Sequence, residues 1–269
     1  MGTLMNAIAT SPAGTSTPAP GWARTVFRTV NYLIEDIGGG PRVFKLAQAL
    51  NFHKFITFFV ILGMMAYTGN YSFGAWTYLC LHGVYGWCWL FKDAAGRDSS
   101  LDRPITFGAI ACLYALYGIW IWGLPWLFLS RHIEHSNVVL ACCITLHTLG
   151  VVTMIGADLQ KTFTLRLKPG LISNGMFAYT RNPNFLGEIM IYATYAIMAA
   201  SIAGWIFVLV QWVFLFLPRM LVKDASISRH PGWAQYKARS GLLIPWRILT
   251  GQAFFDKPNV PVAVQNAQA

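Results

Sequence analysis

The stretch Gly170-Leu-Ile-Ser-Asn-Gly-Met-Phe-Ala-Tyr-Thr-Arg-Asn-Pro-Asn-Phe-Leu-Gly-Glu188 leads directly into an apolar run over residues 189–203. Four polar or ionisable side chains lie just before that run: Arg181, Asn182, Asn184 and Glu188. Such groups are expensive to keep at the edge of an apolar segment, and in membrane proteins they commonly mark functional sites. The stretch therefore predicts a membrane helix with a functional site at its entrance.

The composition indicates an integral membrane protein. Of the 269 residues, 55% are hydrophobic and only 11% are charged, whereas a soluble domain carries roughly 25% charged residues. A helix needs about 20 apolar residues to cross the hydrocarbon, and six apolar runs follow one another: 52–68, 73–91, 105–129, 138–157, 185–203 and 205–222. Without strict alternation, these runs favour helices over barrel strands. We predict an all-α bundle of six transmembrane helices, the last two joined tightly at Gly204.

The basic residues indicate the orientation of the bundle. With six spans, Arg131 is the only one of the 20 Lys and Arg residues on its side of the membrane. Cytoplasmic loops carry the basic excess, so both termini are predicted to be cytoplasmic, in a bacterial inner membrane or the endoplasmic reticulum. This asymmetry accounts for the net charge of +10, and we expect no nucleic-acid partner. The five cysteines form no Cys-x-x-Cys pair, and we expect no metal site.

The chain divides into four predicted parts. Residues 1–20, rich in Ala, Ser, Thr and Pro, are typical of a disordered leader. Residues 21–48 have apolar residues at helical spacing beside charged ones, which favours an interfacial amphipathic helix; a seventh, short span is the alternative. Residues 49–250 form the predicted transmembrane domain, and residues 251–269 a C-terminal tail.

Two helix faces carry candidate chemistry. The second span has polar residues along one face: Tyr78, His82, Tyr85, Trp89 and Lys92. Trp89 and Lys92 are also consistent with ordinary interface anchors, and a buried His with a structural role. The fifth span begins at Asn182-Pro183 and has another polar face: Asn184, Glu188, Tyr192 and Tyr195. Glu188 either lines a site or pairs locally with Arg181 or Lys168. His147 and Asp158 are weaker candidates.

A basic and aromatic segment follows the sixth span, whose helix we expect to continue to about Ile227. The segment combines two aromatic rings with five cations: Trp233, Tyr236, Arg219, Lys223, Arg229, Lys237 and Arg239. Acidic lipid headgroups would explain the cations, but not the interleaved aromatic residues. A phosphate-bearing cofactor with a planar ring explains both.

The block from Asp158 to Trp246 resembles the C-terminal half of the steroid 5-alpha-reductase family. The resemblance is carried by residues 158–161, by Gly175-Met-Phe-Ala-Tyr-Thr-Arg-Asn-Pro-Asn-Phe-Leu-Gly-Glu188, and by residues 233–237 and 243–245. Related isoprenylcysteine carboxyl methyltransferases read Arg-His-Pro in that core and place a Glu-Glu pair after the last span. This chain has Asn182 in place of the His, and Lys223-Asp224 in the second region.

The resemblance implies a membrane reductase that transfers hydride from NADPH to the alkene of an apolar enone, steroid-like or another lipid, without a Rossmann domain. Asn184 and Glu188 would face the nicotinamide, Arg181 and Lys161 the phosphates, and residues 233–239 would cover the cofactor in a cytoplasmic cavity. The complete predicted cofactor set is Lys161, Arg166, Tyr179, Arg181, Asn182, Asn184, Arg219, Lys223, Asp224, Arg229, Trp233, Tyr236 and Lys237. The predicted catalytic set is Tyr85, Tyr78, His82 and Glu188, with a tyrosine polarising the carbonyl.

The sequence departs from the family pattern at one point, and two functions other than reduction are alternatives. The family's tyrosine is partnered by a glutamate, and no acid lies within the first four apolar runs before Asp158. The first alternative is methyl transfer from S-adenosylmethionine to a lipid or prenylated substrate, although a cationic sulfonium gains little from a basic pocket. The second is a non-enzymatic lipid-binding or scaffold protein. We expect a monomer whose partners are membrane lipids and a small apolar substrate.

Overall fold

The computed structural model describes residues 17–255, and it is mostly helical, as predicted. The helices are α1 Gly21–Glu35, α2 Leu46–Thr68, α3 Phe73–Tyr78, α4 Val84–Gly96, α5 Phe107–Trp120, α6 Gly123–Leu129, α7 Asn137–Leu167, α8 Pro183–Ala199, α9 Ile202–Gln211, α10 Leu217–Ile227, α11 Trp233–Arg239 and α12 Trp246–Leu249. A π-helical turn, Leu79–Gly83, joins α3 to α4, and another, Trp212–Phe216, joins α9 to α10. Most of the predicted leader and tail lies outside the described residues.

The segment between α1 and α2 differs from the prediction. Helix α1 ends at Glu35, and three glycines with positive φ follow at residues 38–40. Strand β1, Arg42–Lys45, then pairs antiparallel with β2, Pro104–Thr106. This small ribbon corrects the all-α prediction, and strands of three or four residues are too short to show a two-residue period. Helix α2 follows directly and begins at Leu46, six residues before the predicted apolar run.

Within residues 17–255, three helical stretches are long and apolar enough to cross a membrane: Leu46–Thr68, Asn137–Leu167 and Ile202–Ile227. The other three predicted spans fall on interrupted or shorter helices. The α3–α4 stretch contains a π turn, α5 and α6 are separated at residues 121–122, and α8 has 17 residues. The structure therefore supports a helical membrane protein, and six spans stay a prediction.

The hairpin between α8 and α9 lies earlier than predicted. Helix α8 ends at Ala199, Ala200 adopts a left-handed conformation with φ 43°, and α9 begins at Ile202. Gly204 lies inside α9, where a Cβ would come within 3.3 Å of Ala199. The prediction of a break at Gly204 was therefore wrong, because this glycine allows close packing between the helices instead of ending one.

Two close helix contacts position the interior side chains. A Cβ on Gly86 of α4 would lie 2.3 Å from the carbonyl oxygen of Lys54 on α2. A Cβ on Gly187 of α8 would lie 2.5 Å from the carbonyl oxygen of Gly150 on α7. Only glycine permits backbones to approach so closely. Because these glycines adjoin Tyr85 and Glu188 in sequence, both contacts fix the position of a predicted site residue.

Candidate active site

An inner polar cluster lies between α2, α4, α7 and α8. We define it by six residues: Lys54, Tyr85, Trp89, Lys92, Asp158 and Glu188. The Lys92 ammonium lies 3.2 Å from the Asp158 carboxylate and 3.7 Å from the centre of the Trp89 ring. The Lys54 ammonium lies 4.4 Å from the centre of the Tyr85 ring. Both buried lysines thus contact aromatic rings inside the bundle, and Lys92 also contacts an acidic side chain.

This arrangement decides two questions left open by the sequence. Lys92 is 4% exposed and ion-paired, so it is not an interface anchor. Asp158, which the sequence left as a weaker candidate, is its partner. Helix α4 also runs to Gly96 and therefore carries an acid, Asp93. Asp93 is bound by Asn51 at 2.8 Å and by Arg97 at 2.7 Å, which indicates a structural role.

Glu188 is half-buried in the first turns of α8. Among the described residues, no cation lies within 4 Å of its carboxylate, and neither predicted local pair, with Arg181 or Lys168, is formed. Lys54, Lys92 and Arg219 attract it from greater distances, and Asp158 repels it. Glu188 therefore lies within electrostatic range of the inner polar cluster, and its role in a site stays a prediction.

Deeper in the bundle, tyrosine and histidine side chains form a second buried cluster. The His82 ring stacks on Tyr195 with centroids 4.1 Å apart, and its Nδ1 lies 3.3 Å from the Tyr78 hydroxyl. Nε2 of His147 lies 3.0 Å from the Tyr195 hydroxyl. Tyr85 packs edge-on against His147, with centroids 6.2 Å apart. The predicted catalytic residues of the second span are therefore brought together, and Tyr195 and His147 join them.

Tyr85 is the member of this group nearest to the ionisable residues. Its hydroxyl adjoins Tyr192, and the Glu188 carboxylate acts on it electrostatically. Tyr78 and His82 instead bond to each other and pack against Phe128 and Tyr195. Of the predicted catalytic residues, Tyr85 is thus the one that Glu188 influences electrostatically, whereas Tyr78 and His82 pack against each other and their neighbours.

At the polar end of the bundle, α10 and the segment after it bond to the loop before α8. Nε of Arg181 donates to the Asp224 carboxylate at 2.9 Å, and the Trp233 ring lies 5.5 Å from the guanidinium. The Tyr236 hydroxyl donates to the Phe177 carbonyl at 2.8 Å. Burial raises the pKa of Tyr236 above its usual range, although Arg181 opposes the shift. This end of the molecule is therefore closed by side chains that the sequence assigned to a cofactor.

Asn182 is used differently from the prediction. Helix α8 begins at Pro183 as predicted, but the Asn182 side chain makes no capping hydrogen bond. It instead donates to the Leu242 carbonyl at 2.8 Å and accepts from the Lys223 ammonium at 3.0 Å. Asn182 therefore links three segments of the chain. The adjacent Asn184 has a buried Oδ1 without a hydrogen-bond partner among the described residues.

The remaining predicted cofactor residues are spread around this end. Arg166 donates to the Arg97 carbonyl at 3.1 Å, Tyr179 to the Ala253 carbonyl at 3.5 Å, and Arg219 to Asn31 of α1 at 3.4 Å. Arg229 and Lys237 are exposed. Lys161, Arg181, Lys223 and Tyr236 line a common cavity of about 70 Å³. The other residues predicted to bind the cofactor do not line this cavity.

Lys161 also bonds to Asp98 in the loop after α4, at 2.8 Å. Burial by itself raises the pKa of Asp98. Attraction to Lys161 and hydrogen bonds from Lys161 and Ser100 outweigh this effect and lower that pKa from 3.8 to about 2. The pair connects α7 to the loop after α4 and holds the Lys161 ammonium at the edge of the cavity.

A comparison with known families gives one match. A family model described as 3-oxo-5-alpha-steroid 4-dehydrogenase matches residues 102–247, more than half of the chain. The matched region contains Asp158, Arg181, Glu188 and Lys223, whereas Lys54 and Tyr85 lie before it. Neither a curated protein nor a solved structure gives a significant match.

Proposed function

The chain belongs to the 3-oxo-5-alpha-steroid 4-dehydrogenase family, and from that premise we propose that it uses NADPH to reduce the C=C bond of an apolar enone. The family implies an oxidoreductase acting on a CH–CH group; the cofactor and the substrate, a steroid or another lipid, are our proposals. The observation that carries them is the inner polar cluster. There the Lys54 ammonium lies 4.4 Å from the centre of the Tyr85 ring, and Glu188 lies within electrostatic range of both residues. On the same helix as Glu188, Asn184 has a buried Oδ1 without a hydrogen-bond partner among the described residues.

The side chains present fit the proposed cofactor. The buried Asn184 Oδ1 can accept a hydrogen bond from a carboxamide, which the nicotinamide ring carries. The cations at the small cavity, Lys161 and Lys223, suit phosphate groups. A cavity of about 70 Å³ cannot hold a whole dinucleotide, so we propose that the segment over residues 228–247 moves outward to admit it. Trp233 and Tyr236 belong to that segment and would cover the ring.

The mechanism follows from where the chain places its acids. Bound NADPH would supply hydride to the β-carbon of the enone. Negative charge then develops on the carbonyl oxygen, and we assign the Tyr85 hydroxyl as the donor of a proton to it. Glu188, on the opposite helix, orients the cofactor side of the site. The surrounding apolar helices exclude water, which strengthens each of these interactions.

We also propose that the protein acts as a monomer in a bacterial inner membrane or the endoplasmic reticulum. The alternative of methyl transfer from S-adenosylmethionine is not favoured, because the matched family model is that of a steroid dehydrogenase.

The proposed function is tested with purified protein in detergent. Oxidation of NADPH is followed by absorbance in the presence of a steroid enone, and the product is identified by mass. We expect Tyr85→Phe and Glu188→Gln each to lower the rate by about 10²-fold. The matched control is Tyr114→Phe, because Tyr114 lies outside the site and its hydroxyl donates to the Ala49 carbonyl.

The rival hypotheses predict other outcomes. A scaffold or lipid-binding protein would show no NADPH binding, and both site variants would keep the function of the wild type in cells. Saturable binding of S-adenosylmethionine without binding of NADPH would contradict the proposed reductase.

A further inference from the structure

Lys54 is a buried lysine whose role neither the sequence pattern nor the family match assigns. It is the ninth residue of α2 and therefore lies about 12 Å along a helix apolar enough to span a membrane. Its side chain is 5% exposed. A lysine so placed is costly, and in membrane proteins such residues generally serve a function.

The side chain of Lys54 turns into the bundle and does not extend toward the headgroups. Its ammonium lies 4.4 Å from the centre of the Tyr85 ring and 5.4 Å from that of Trp89. Among the described residues, no carboxylate lies within 4 Å of it. Glu188 attracts the ammonium from a greater distance and Lys92 repels it. Of the two aromatic rings beside this cation, that of Tyr85 is therefore the nearer.

The backbone fixes Lys54 against Tyr85. The Lys54 carbonyl oxygen faces Gly86 so closely that a Cβ there would lie at 2.3 Å. Because Gly86 follows Tyr85 directly, the crossing of α2 and α4 sets the distance between the lysine and the tyrosine. Their approach is therefore determined by two packed helices and does not depend on a flexible side chain alone.

We propose that Lys54 is a positioning residue that stabilises the negative charge formed at Tyr85 and at the substrate oxygen during reduction. The inference rests on the proposed function and deepens it. A nearby cation favours the ionised form of a phenol, so Lys54 makes Tyr85 a better proton donor. The family resemblance implies a glutamate as the partner of this tyrosine; here the residue beside Tyr85 is a lysine, which carries the opposite charge.

As hydride adds to the β-carbon, the alkene pair moves toward the carbonyl and the oxygen takes the Tyr85 proton, which leaves an enol and a tyrosinate beside the Lys54 ammonium. The α-carbon then takes a proton derived from solvent while the enol proton returns to Tyr85. One hydride and one solvent proton are consumed for each double bond that is saturated.

The opposite charge has a measurable consequence. A phenol bound with its oxygen at Tyr85 imitates the enolate, and the absorbance of estradiol reports whether its phenol is ionised. We expect wild type and Lys54→Arg to bind estradiol as the phenolate. Lys54→Met should bind it as the neutral phenol, about tenfold more weakly. Lys168→Met, which changes an exposed lysine, should behave as wild type.

Two outcomes overturn the inference. One is a Lys54→Met protein that still binds the phenolate with wild-type affinity; the other is a wild type in which no phenolate forms. Thermal melting identifies a variant that fails to fold. If Lys54→Met fails to fold, the absorbance spectrum of estradiol bound to the charge-preserving Lys54→Arg shows whether the phenolate forms beside a cation at this position. NADPH oxidation is measured separately, so a protein that ionises the phenol but reduces no enone contradicts the proposed function and leaves the role of Lys54 supported.

Discussion

Asp224 and Arg181 form an ion pair whose side chains are only 15% and 7% exposed. Removing one partner of a buried pair leaves an uncompensated charge and typically costs 3–5 kcal/mol. We therefore expect Asp224→Ala to lower the free energy of unfolding by about 3 kcal/mol, measured by denaturant titration in detergent.

Asp36→Ala is the control for this prediction. Asp36 pairs with Arg42, and the two side chains are 37% and 49% exposed. Because exposed pairs contribute about 0–1 kcal/mol, its loss should be small. Equal losses in the two variants would show that the pair between Arg181 and Asp224, which joins the loop before α8 to α10, stabilises the fold no more than an exposed pair does.

Asp98 gives a prediction that depends on pH. Its pKa is lowered in the folded protein from 3.8 to about 2, so its contribution to stability is complete above about pH 4 and is lost as the pH falls through about 2. With a third of its side chain exposed, solvent screening leaves an effect on the order of 1 kcal/mol. Asp98→Asn should be less stable than wild type by that amount near pH 6, and the two should converge near pH 2.

A double variant separates this pair from other effects. In a Lys161→Met background, Asp98→Asn should change the melting temperature little, because the favourable charge partner is gone. An undiminished effect in that background would mean that Ser100 or the loop itself, and not Lys161, determines the pKa of Asp98.

Residue by residue, the sequence predicted the aromatic and histidine face of the second span but missed Lys54. A lysine near the end of an apolar run looks the same in sequence whether it extends to the headgroups or turns inward. Helix α2 begins six residues before the apolar run, which places Lys54 inside the bundle. Only the packing of α2 on α4 shows that its ammonium contacts Tyr85.

At the scale of the elements, Gly86 is the residue on which the contact between α2 and α4 depends. Gly86→Ala would force its new methyl group against the Lys54 carbonyl at 2.3 Å. We expect a loss of about 1–3 kcal/mol in stability, as for other overpacked cores, together with reduced enone reduction.

The control is Gly63→Ala in α2, since a Cβ there would meet nothing within 4 Å. Alanine is the better helix former, so this change should be neutral or stabilising by up to about 1 kcal/mol. If Gly86→Ala were equally well tolerated, the close crossing of the two helices would not exist in the protein in solution.

Element boundaries were predictable only where local chemistry determines them. The start of α8 at Pro183 followed from Asn-Pro, since proline lacks an N–H that the first helical turn does not need. The end of the same helix did not, because Ala200 takes a left-handed conformation that no local residue preference signals. The ribbon of β1 and β2 depends on pairing between residues some 60 positions apart, which periodicity along the chain cannot reveal.

At the scale of the whole molecule, charge is concentrated at one end of the helices. Helix α8 begins beside Lys223 and ends near Arg131, which lies 3.5 Å from the Ala200 carbonyl. The ion pairs of Lys161 with Asp98 and of Arg181 with Asp224 both lie at the end where α8 begins. Whether this end lies in the cytoplasm, as the basic asymmetry of the sequence predicts, stays a prediction.

Single cysteines test this topology and also decide whether α1 crosses the membrane. In a variant lacking the native cysteines, Lys168→Cys, Arg131→Cys and Arg24→Cys place one thiol at an exposed position each. A membrane-impermeant maleimide should label residue 168 only in inside-out vesicles and residue 131 only in right-side-out vesicles. With six spans, residue 24 should be labelled like residue 168. Labelling of residue 24 together with residue 131 would instead show that α1 crosses the bilayer as a seventh span. If residues 168 and 131 exchanged their labelling patterns, the orientation of the protein would be the reverse of the predicted one.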